Sequence, residues 1–293
     1  MADISNLTRI ASQVRRDILR QTHFCASGHP GGSLGCTEYF VALYFEVMDY
    51  KKGTFTMEGK NEDLFFLSNG HISPVWYSVL ARSGFFPVVE LSTFRHINSR
   101  LQGHPATHEH LPGIRTASGS LGQGISVALG AALEKRLDGD DKIIWCLTGD
   151  GELQEGQIWE AALFGAHQKV DNLIVTVDWN GQQIDGPTKE VMALGDLQAK
   201  WEAFGWEVTV LEKGNDMAAV VETMQAVKGK TGKGKPQVIL MKTAMGKGVD
   251  FMEGTHHWHG KAPNAEQLEN ALGQLEETLG DYPYNPNYHA QHA

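Results

Sequence analysis

The sequence predicts an α/β fold, a mostly parallel sheet flanked by helices, on three observations. First, the apolar runs Lys142–Leu147 and Leu173–Val177 are separated by a helical pattern from Glu155 to His167, the order of a βαβ unit. Second, that alternation continues downstream: helix around 194–204, strand from Trp206 to Leu211, helix 216–228, strand from Gln237 to Met241. Third, Gly149-Asp150-Gly151 and Trp179-Asn180-Gly181 each follow an apolar run. This puts two polar turns at the carboxyl ends of strands, where open α/β sheets bind their ligands.

The remaining elements follow in order. Ile4, Leu7, Ile10, Ala11, Val14, Ile18 and Leu19 have the spacing of an amphipathic helix over 3–21. Arg9, Arg15, Arg16 and Arg20 fall off that stripe and read as a solvated face. Ala26–Ser33 is a glycine-rich loop, and Ser33 is placed to cap a helix running to about Met48. A polar, turn-like stretch over 49–63 leads to a buried strand at 63–68. Asn69-Gly70-His71 then marks the passage to a helix at about 72–83. Residues 98–113 form a histidine-bearing loop. Thr116–Gly124 opens a long helix rich in small residues that ends near Gly139, suited to a core or a subunit interface. A helix over 264–279 and a polar tail close the chain. No repeat or linker interrupts it, so one domain spans 1–293, with a short helical and polar tail from about 264.

Composition narrows the function classes. With 35 acidic and 25 basic residues the formal net charge is −10, which disfavours nucleic acid and anionic membranes as partners. Cys25, Cys36 and Cys146 form no C-x-x-C pair, and three widely spaced thiols suit a reducing cytoplasm better than a disulfide scaffold. No secretory leader and no apolar stretch long enough to span a bilayer is read in the sequence.

The candidate chemistry lies in loops. Asp150 between two glycines, with Asn180 after the next strand, suggests a diphosphate held through a hard divalent cation. Glycine and histidine recur together at Gly28-His29, Gly70-His71 and Gly103-His104, and three histidines cluster at His256, His257 and His259. Loops at one edge of a parallel sheet can converge, although periodicity alone does not show that they do. His104, His108 and His110 give the spacing H-x3-H-x-H. Without cysteines or an HExxH pattern, ordinary loop histidines are preferred there to a zinc site. The run Lys228–Lys235 lacks G-x4-G-K-[ST] and precedes a strand, so it reads as a solvated turn rather than a phosphate loop.

Seven segments carry a family resemblance. SGHPGG (27–32), LSNGH (67–71), GHP (103–105), GSLGQG (119–124), GDGELQEG (149–156), WNGQQIDGPT (179–188) and WHGKAP (258–263) resemble, in order, the thiamine-diphosphate-binding N-terminal domain of transketolase. The stretch from Gly149 to Asn180 looks like the thiamine diphosphate fingerprint. Two departures are local: Trp179 stands where the fingerprint often has Asn or Asp, and Ser120 where many transketolases have proline.

The resemblance implies roles residue by residue. The side chains of Asp150 and Asn180 and the Gln182 carbonyl would hold Mg²⁺ or Ca²⁺, an all-oxygen set suited to a hard cation. The Gly151 N–H, His71 and His259 would meet the diphosphate. Gly119 and Leu121 would line the aminopyrimidine, and Ile184 the thiazolium. His29 and His104, with His259 close by, would be catalytic groups touching substrate hydroxyls. Glu155 and Glu160 match the family's interface acids. The implied activity is transfer of a two-carbon ketol unit from a ketose phosphate to an aldose phosphate.

The family's pyrimidine-binding and C-terminal domains, with the glutamate that activates the cofactor, have no counterpart in these residues. The chain therefore resembles the N-terminal subunit of a split transketolase that works with a C-terminal partner chain, as an α2β2 assembly. A 1-deoxyxylulose-5-phosphate synthase-like subunit and a catalytically silent cofactor-binding subunit stand as alternatives. The α subunit of a 2-oxo acid dehydrogenase ranks lower, because SGHPGG and LSNGH would be out of place there.

Overall fold

The computed structural model describes residues 2–51 and 53–288. Helix α1 (Ile4–Phe24) is capped by Asp3, whose carboxylate accepts from the Asn6 N–H. Helices α2 (Pro30–Gly35) and α3 (Thr37–Ala42) follow, and a π-helical turn over Leu43–Val47 ends this first helical layer. Strand β1 (Leu64–Leu67) leads into α4 (Ser73–Arg82), and α5 (Gly124–Leu137) precedes β2 (Ile144–Gly149). Then come α6 (Gly156–His167), β3 (Leu173–Trp179) and a small antiparallel hairpin of β4 (Gln182–Gln183) and β5 (Gly186–Pro187). The chain continues through α7 (Thr188–Val191), α8 (Leu197–Ala203), β6 (Glu207–Leu211), α9 (Met217–Lys228), β7 (Gln237–Lys242) and α10 (Ala265–Gly273).

Five strands form one sheet in the order β1-β2-β3-β7-β6, and every pairing in it is parallel. Side chains alternate between two apolar layers, as the period of two along a strand requires. Phe65, Leu67, Trp145, Leu147, Ile239 and Met241 pack toward α1, α3, α4 and α9. Leu64, Phe66, Ile144, Cys146, Val238 and Leu240 pack on the other face, toward α5, α6 and α8. Both faces of the sheet are covered, so its strands read as continuous apolar runs. The doubly covered parallel sheet is the predicted architecture.

Four local expectations are corrected. Ser33 does not cap a helix: α2 starts three residues earlier with Pro30 in its first turn, and the Ser33 hydroxyl donates back to the His29 carbonyl at 2.7 Å. Proline's fixed φ pre-organises that start, leaving His29 as the residue just outside the helix. The helix expected from Thr116 begins only at Gly124, because Gly119 (φ 113°) and Gly122 (φ 85°) adopt left-handed backbone that no helix accommodates. Its inner face, with Ile125, Ala128, Leu129 and Ala132, packs in the core, and its outer face, with Val127 and Leu137, is exposed in the single chain.

Two of the α1 arginines do not lie on a solvated face, although Arg9 is exposed as expected. Arg15 pairs with Glu38 at 2.7 Å, and Arg16 with Asp281 at 2.7 Å, each arginine buried. These contacts explain the fourth difference. Helix α10 stops at Gly273, and the following tail is docked rather than free, with Tyr282 buried and Tyr284 stacked on Phe24 at 3.9 Å between centroids. The Lys228–Lys235 run is a turn held by Asp171, whose carboxylate accepts the Gly234 N–H at 2.8 Å.

Candidate active site

Parallel pairing fixes where the polar turns meet. Gly149 lies opposite Asp178 in the β2–β3 register, and the Asp150 N–H donates to the Asp178 carbonyl at 3.1 Å. Asp150 therefore leaves the sheet beside the end of β3, within reach of the Asn180 turn. Its carboxylate accepts from the Gly181 N–H at 2.6 Å and from the Gly151 N–H at 2.8 Å. Asn180 donates its side-chain N–H to Asp178 at 2.7 Å, and its Oδ1 accepts the Gln182 N–H at 2.8 Å. Asp178 also accepts the hydroxyl of Thr243, next to the end of β7. Because a carboxylate only accepts, Asp178 fixes which end of the Asn180 amide faces it.

The histidines arrive from four separate elements. His29 precedes α2. His71 sits in the 3₁₀ turn Gly70–Ile72 at the start of α4. The His104 loop is tied to α4 by two bonds, Ser73 Oγ to the Gly103 carbonyl and Tyr77 Oη to the Gln102 carbonyl, each 2.8 Å. His259 follows the 3₁₀ turn His256–Trp258, which is anchored by buried Trp258. That last loop rests directly on α2: a Cβ at Gly31 would lie 2.7 Å from the Trp258 carbonyl oxygen, and the Gly246 N–H reaches the Gly31 carbonyl at 2.8 Å. Only glycine permits this approach, which brings His259 to His29. Ring centroids are 5.0 Å apart for His29–His71 and His71–His259, 5.6 Å for His29–His259 and 6.3 Å for His29–His104.

These residues surround one cavity of about 390 Å³ at the carboxyl ends of β2 and β3. Of the residues singled out in the sequence, His29, His71, His104, Gly119, Leu121, Asp150, Gly151, Glu155, Asn180, Gln182, Ile184 and His259 all line it. Leu121 and Ile184 are exposed at its rim. Glu160 is not part of the cavity and faces solvent on α6. The zinc spacing does not converge: His104 turns to the cavity, while His108 is exposed and lies 3.1 Å from Glu109.

Three buried polar residues of the wall are not singled out by the sequence: Asn69, Glu152 and Asp178. Glu152 accepts the Ser68 hydroxyl and the N–H groups of Gly122 (2.8 Å) and Gly149 (3.0 Å), tying the Gly119–Gly124 loop to the end of β2. Each of the three sits inside or beside a quoted segment, but carboxylates and amides at strand ends are common enough that position alone does not mark them.

Burial governs the charges. Asp150 is 1% exposed, and desolvation followed by the neighbouring Asp178 raises its pKa to about 8, against the pull of the two glycine N–H donors. Burial also raises Asp178 and Glu152. All four imidazoles are lowered, each mainly by burial. His29 falls to about 4, with His259, Arg95 and His104 adding to the effect. Neutral imidazoles each offer one donor and one acceptor. Two ring nitrogens, Nδ1 of His29 and of His259, and Oδ1 of Asn69 are buried without a partner. Such orphans are costly unless a ligand satisfies them.

The fold and the site define a class: a cofactor-binding α/β domain with an oxygen-rich turn and a neutral histidine cluster facing one cavity. The family model for the transketolase thiamine diphosphate binding domain matches residues 7–288, and the chain belongs to that family. It is 38% identical over 272 residues to one of the subunits of an apulose-4-phosphate transketolase from Actinobacillus succinogenes, covering 92% of this chain and 96% of that one. It is also 38% identical over 271 residues to the 6-deoxy-6-sulfo-D-fructose transketolase subunit SqwG of Clostridium sp. (strain MSTE9), with the same two coverages. Among solved structures, transketolase from Campylobacter jejuni superposes with a TM-score of 0.84 at 31% identity, covering 94% of this chain but 43% of that one. The chain thus spans nearly all of the two shorter relatives and less than half of the longer transketolase.

Proposed function

We propose that this chain is the diphosphate-binding subunit of a split transketolase. In this reading it is a single domain that binds thiamine diphosphate and a divalent cation, Mg²⁺ or Ca²⁺, and transfers a two-carbon ketol unit between sugar phosphates only with a partner chain carrying the pyrimidine domain. The observation that carries the reading is the convergence of Asp150, Asn180 and the four histidines on one cavity. Two of the relatives are named as subunits of transketolases, which supports the split arrangement.

The residues present fit the cofactor. Asp150, Asn180 and the Gln182 carbonyl offer only oxygen, the preference of a hard cation. A cation there would offset the buried carboxylates of Asp150 and Asp178. The Gly151 N–H donates to Asp150 at 2.8 Å, and would be free to donate to a phosphate oxygen if Asp150 turned to a bound cation. The unpartnered nitrogen of His259, together with His71, gives donors for the diphosphate. Gly119 and Leu121 would flank the aminopyrimidine, and Ile184 the thiazolium.

When bound, thiamine diphosphate supplies the carbanion chemistry for breaking and forming the C–C bond. This chain's residues orient substrate and move protons: His29 and His104, neutral at physiological pH, can each donate to one hydroxyl and accept from another. Glu155, just before α6, and Glu160, on its outer side, would face a second protomer.

The test is reconstitution. The chain should bind thiamine diphosphate with Mg²⁺ weakly alone and show no ketol transfer, whereas addition of the partner chain should restore it. A donor panel of xylulose 5-phosphate, apulose 4-phosphate and 6-deoxy-6-sulfofructose would identify the substrate. Efficient turnover by the isolated chain would overturn the split reading, and unchanged cofactor affinity in Asp150→Ala would remove Asp150 from the site.

A further inference from the structure

Arg95 is a charge beside the cavity that the mechanism above leaves unused. Arg15, Arg16, Arg82, Arg100 and Arg115 each meet a carboxylate. Among the described residues Arg95 meets none: its guanidinium makes one side-chain bond, Nη1 to Ser27 Oγ at 3.2 Å, and its buried Nε has no partner. The backbone at Arg95 is left-handed, φ 60°, which is uncommon for a non-glycine residue and implies that its surroundings hold it there.

Those surroundings are the two histidine loops. A Cβ at Gly103 would lie 2.5 Å from Arg95 Cζ, so the guanidinium packs against the backbone next to His104. A Cβ at Gly28 would lie 3.2 Å from the ring of Phe94, so the preceding residue packs against the backbone next to His29. The Arg95 N–H is held by the Leu101 carbonyl at 2.9 Å.

We propose that Arg95 is a positioning residue for the substrate end of the cavity. Its unpaired guanidinium braces the Ser27–His29 loop against the Gly103–His104 loop and sets the field in which His29 and His104 act. The functional meaning rests on the reading that those two histidines face the substrate; the electrostatic claim does not.

The charged and titratable neighbours differ among the four rings. His29 faces His259, Arg95, His104 and His71; His104 faces Arg95 and His29. His71 is influenced by the other three histidines, and His259 by His256, with the His29 and His71 rings close by. Cys25 and Tyr77 also feel the Arg95 charge. Burial is the largest cause at every ring, and the Arg95 cation adds to it at His29 and His104 only.

Histidine-labelled chain, assigned through single His→Gln variants, can be titrated by NMR from about pH 3.5 to 8, bracketing the ordinary imidazole range. In Arg95→Met the midpoints of His29 and His104 should rise while those of His71 and His259 stay. Arg95→Lys, which keeps the charge, should hold all four near wild type. Amide exchange at Gly28, His29 and His104 should quicken in Arg95→Met. Arg95→Gln serves as the neutral variant if Arg95→Met does not fold. Unmoved His29 and His104 midpoints would overturn the proposal. So would an equal shift at all four rings, which marks a loosened cavity, or a Lys variant that behaves like Met. The measurement needs neither cofactor nor partner chain, so failure to reconstitute transfer would count against the proposed function and leave Arg95 decided separately.

Discussion

Replacing Asp150 with Asn should stabilise the ligand-free chain near neutrality while abolishing its response to cation and cofactor. Asp150 is 1% exposed, with a pKa raised from 3.8 to about 8 by burial and by Asp178. The folded chain keeps the Asp150 proton up to about pH 8, whereas the unfolded chain releases it near pH 4. The folded state therefore binds the extra proton, and stability declines as pH rises through that window. At 1.36 kcal/mol per unit, the roughly three units between pH 4 and pH 7 amount to about 4 kcal/mol. Asn escapes this cost but gives back part of it. The carboxylate accepts two N–H groups, from Gly151 and Gly181, and an amide accepts only one of them, a loss of about 1–2 kcal/mol.

The net expectation for Asp150→Asn is a gain of about 2–3 kcal/mol at pH 7, or roughly 3–5 °C in melting temperature for a chain of this size. The sign should reverse near pH 5, where the linkage cost has shrunk to the size of the lost acceptor, and below about pH 4 the carboxyl is neutral in both states and only that loss remains. Thermal unfolding of the isolated chain between pH 4 and 9, with and without Mg²⁺ and thiamine diphosphate, reads both halves. Wild type should gain about 2.7 kcal/mol at a hundredfold excess over the dissociation constant, and the variant nothing. A variant less stable than wild type at pH 7–8, or a pH-independent difference, would refute the burial argument. A ligand-induced gain retained by the variant would refute the cofactor role.

Other expectations follow from the same geometry. Glu152→Ala strands the Ser68 hydroxyl and two backbone N–H donors in a buried wall and should cost about 3 kcal/mol or more in urea unfolding, with Glu152→Gln costing less. In Gly119→Ala the new Cβ would lie 2.4 Å from His104 Cδ2 on backbone at φ 113°, so a loss of about 1–3 kcal/mol and a displaced His104 signal are expected by calorimetry and NMR. Arg82→Met leaves Asp17, fully buried and bound by Arg82 at 2.8 Å through two nitrogens, without its charged partner, which should cost about 3–5 kcal/mol in the same urea measurement. The His29 ring should titrate near 4, and an ordinary midpoint near 6.5 would show that the cluster is not desolvated.

How much of this is legible in the sequence depends on the range of the forces involved. Strand and helix positions follow from apolar periodicity, and the parallel sheet follows from their alternation, because both depend on neighbours a few residues apart. Asp150 and Asn180 are marked by glycine punctuation at strand ends. The start of α2 lies four residues before the one Ser33 suggests, because Pro30 is the stronger start signal, and that rule is itself local. Arg16 and the tail escape a sequence reading for a different reason. The partner of Arg16, Asp281, is more than 260 positions away, and no pattern local to α1 distinguishes a paired arginine from a solvated one.

By itself the sequence determined the α/β class, the loops that carry glycine and histidine, and the seven ordered segments of the family. Tertiary structure alone decided that three histidines from three other elements meet His29 within 6.3 Å, that Asp178 orients Asn180, and that Asp150 is charged only at a cost. Those properties arise from burial and from contacts between residues far apart in the chain. Desolvation belongs to a three-dimensional environment and is not written in any short stretch of residues.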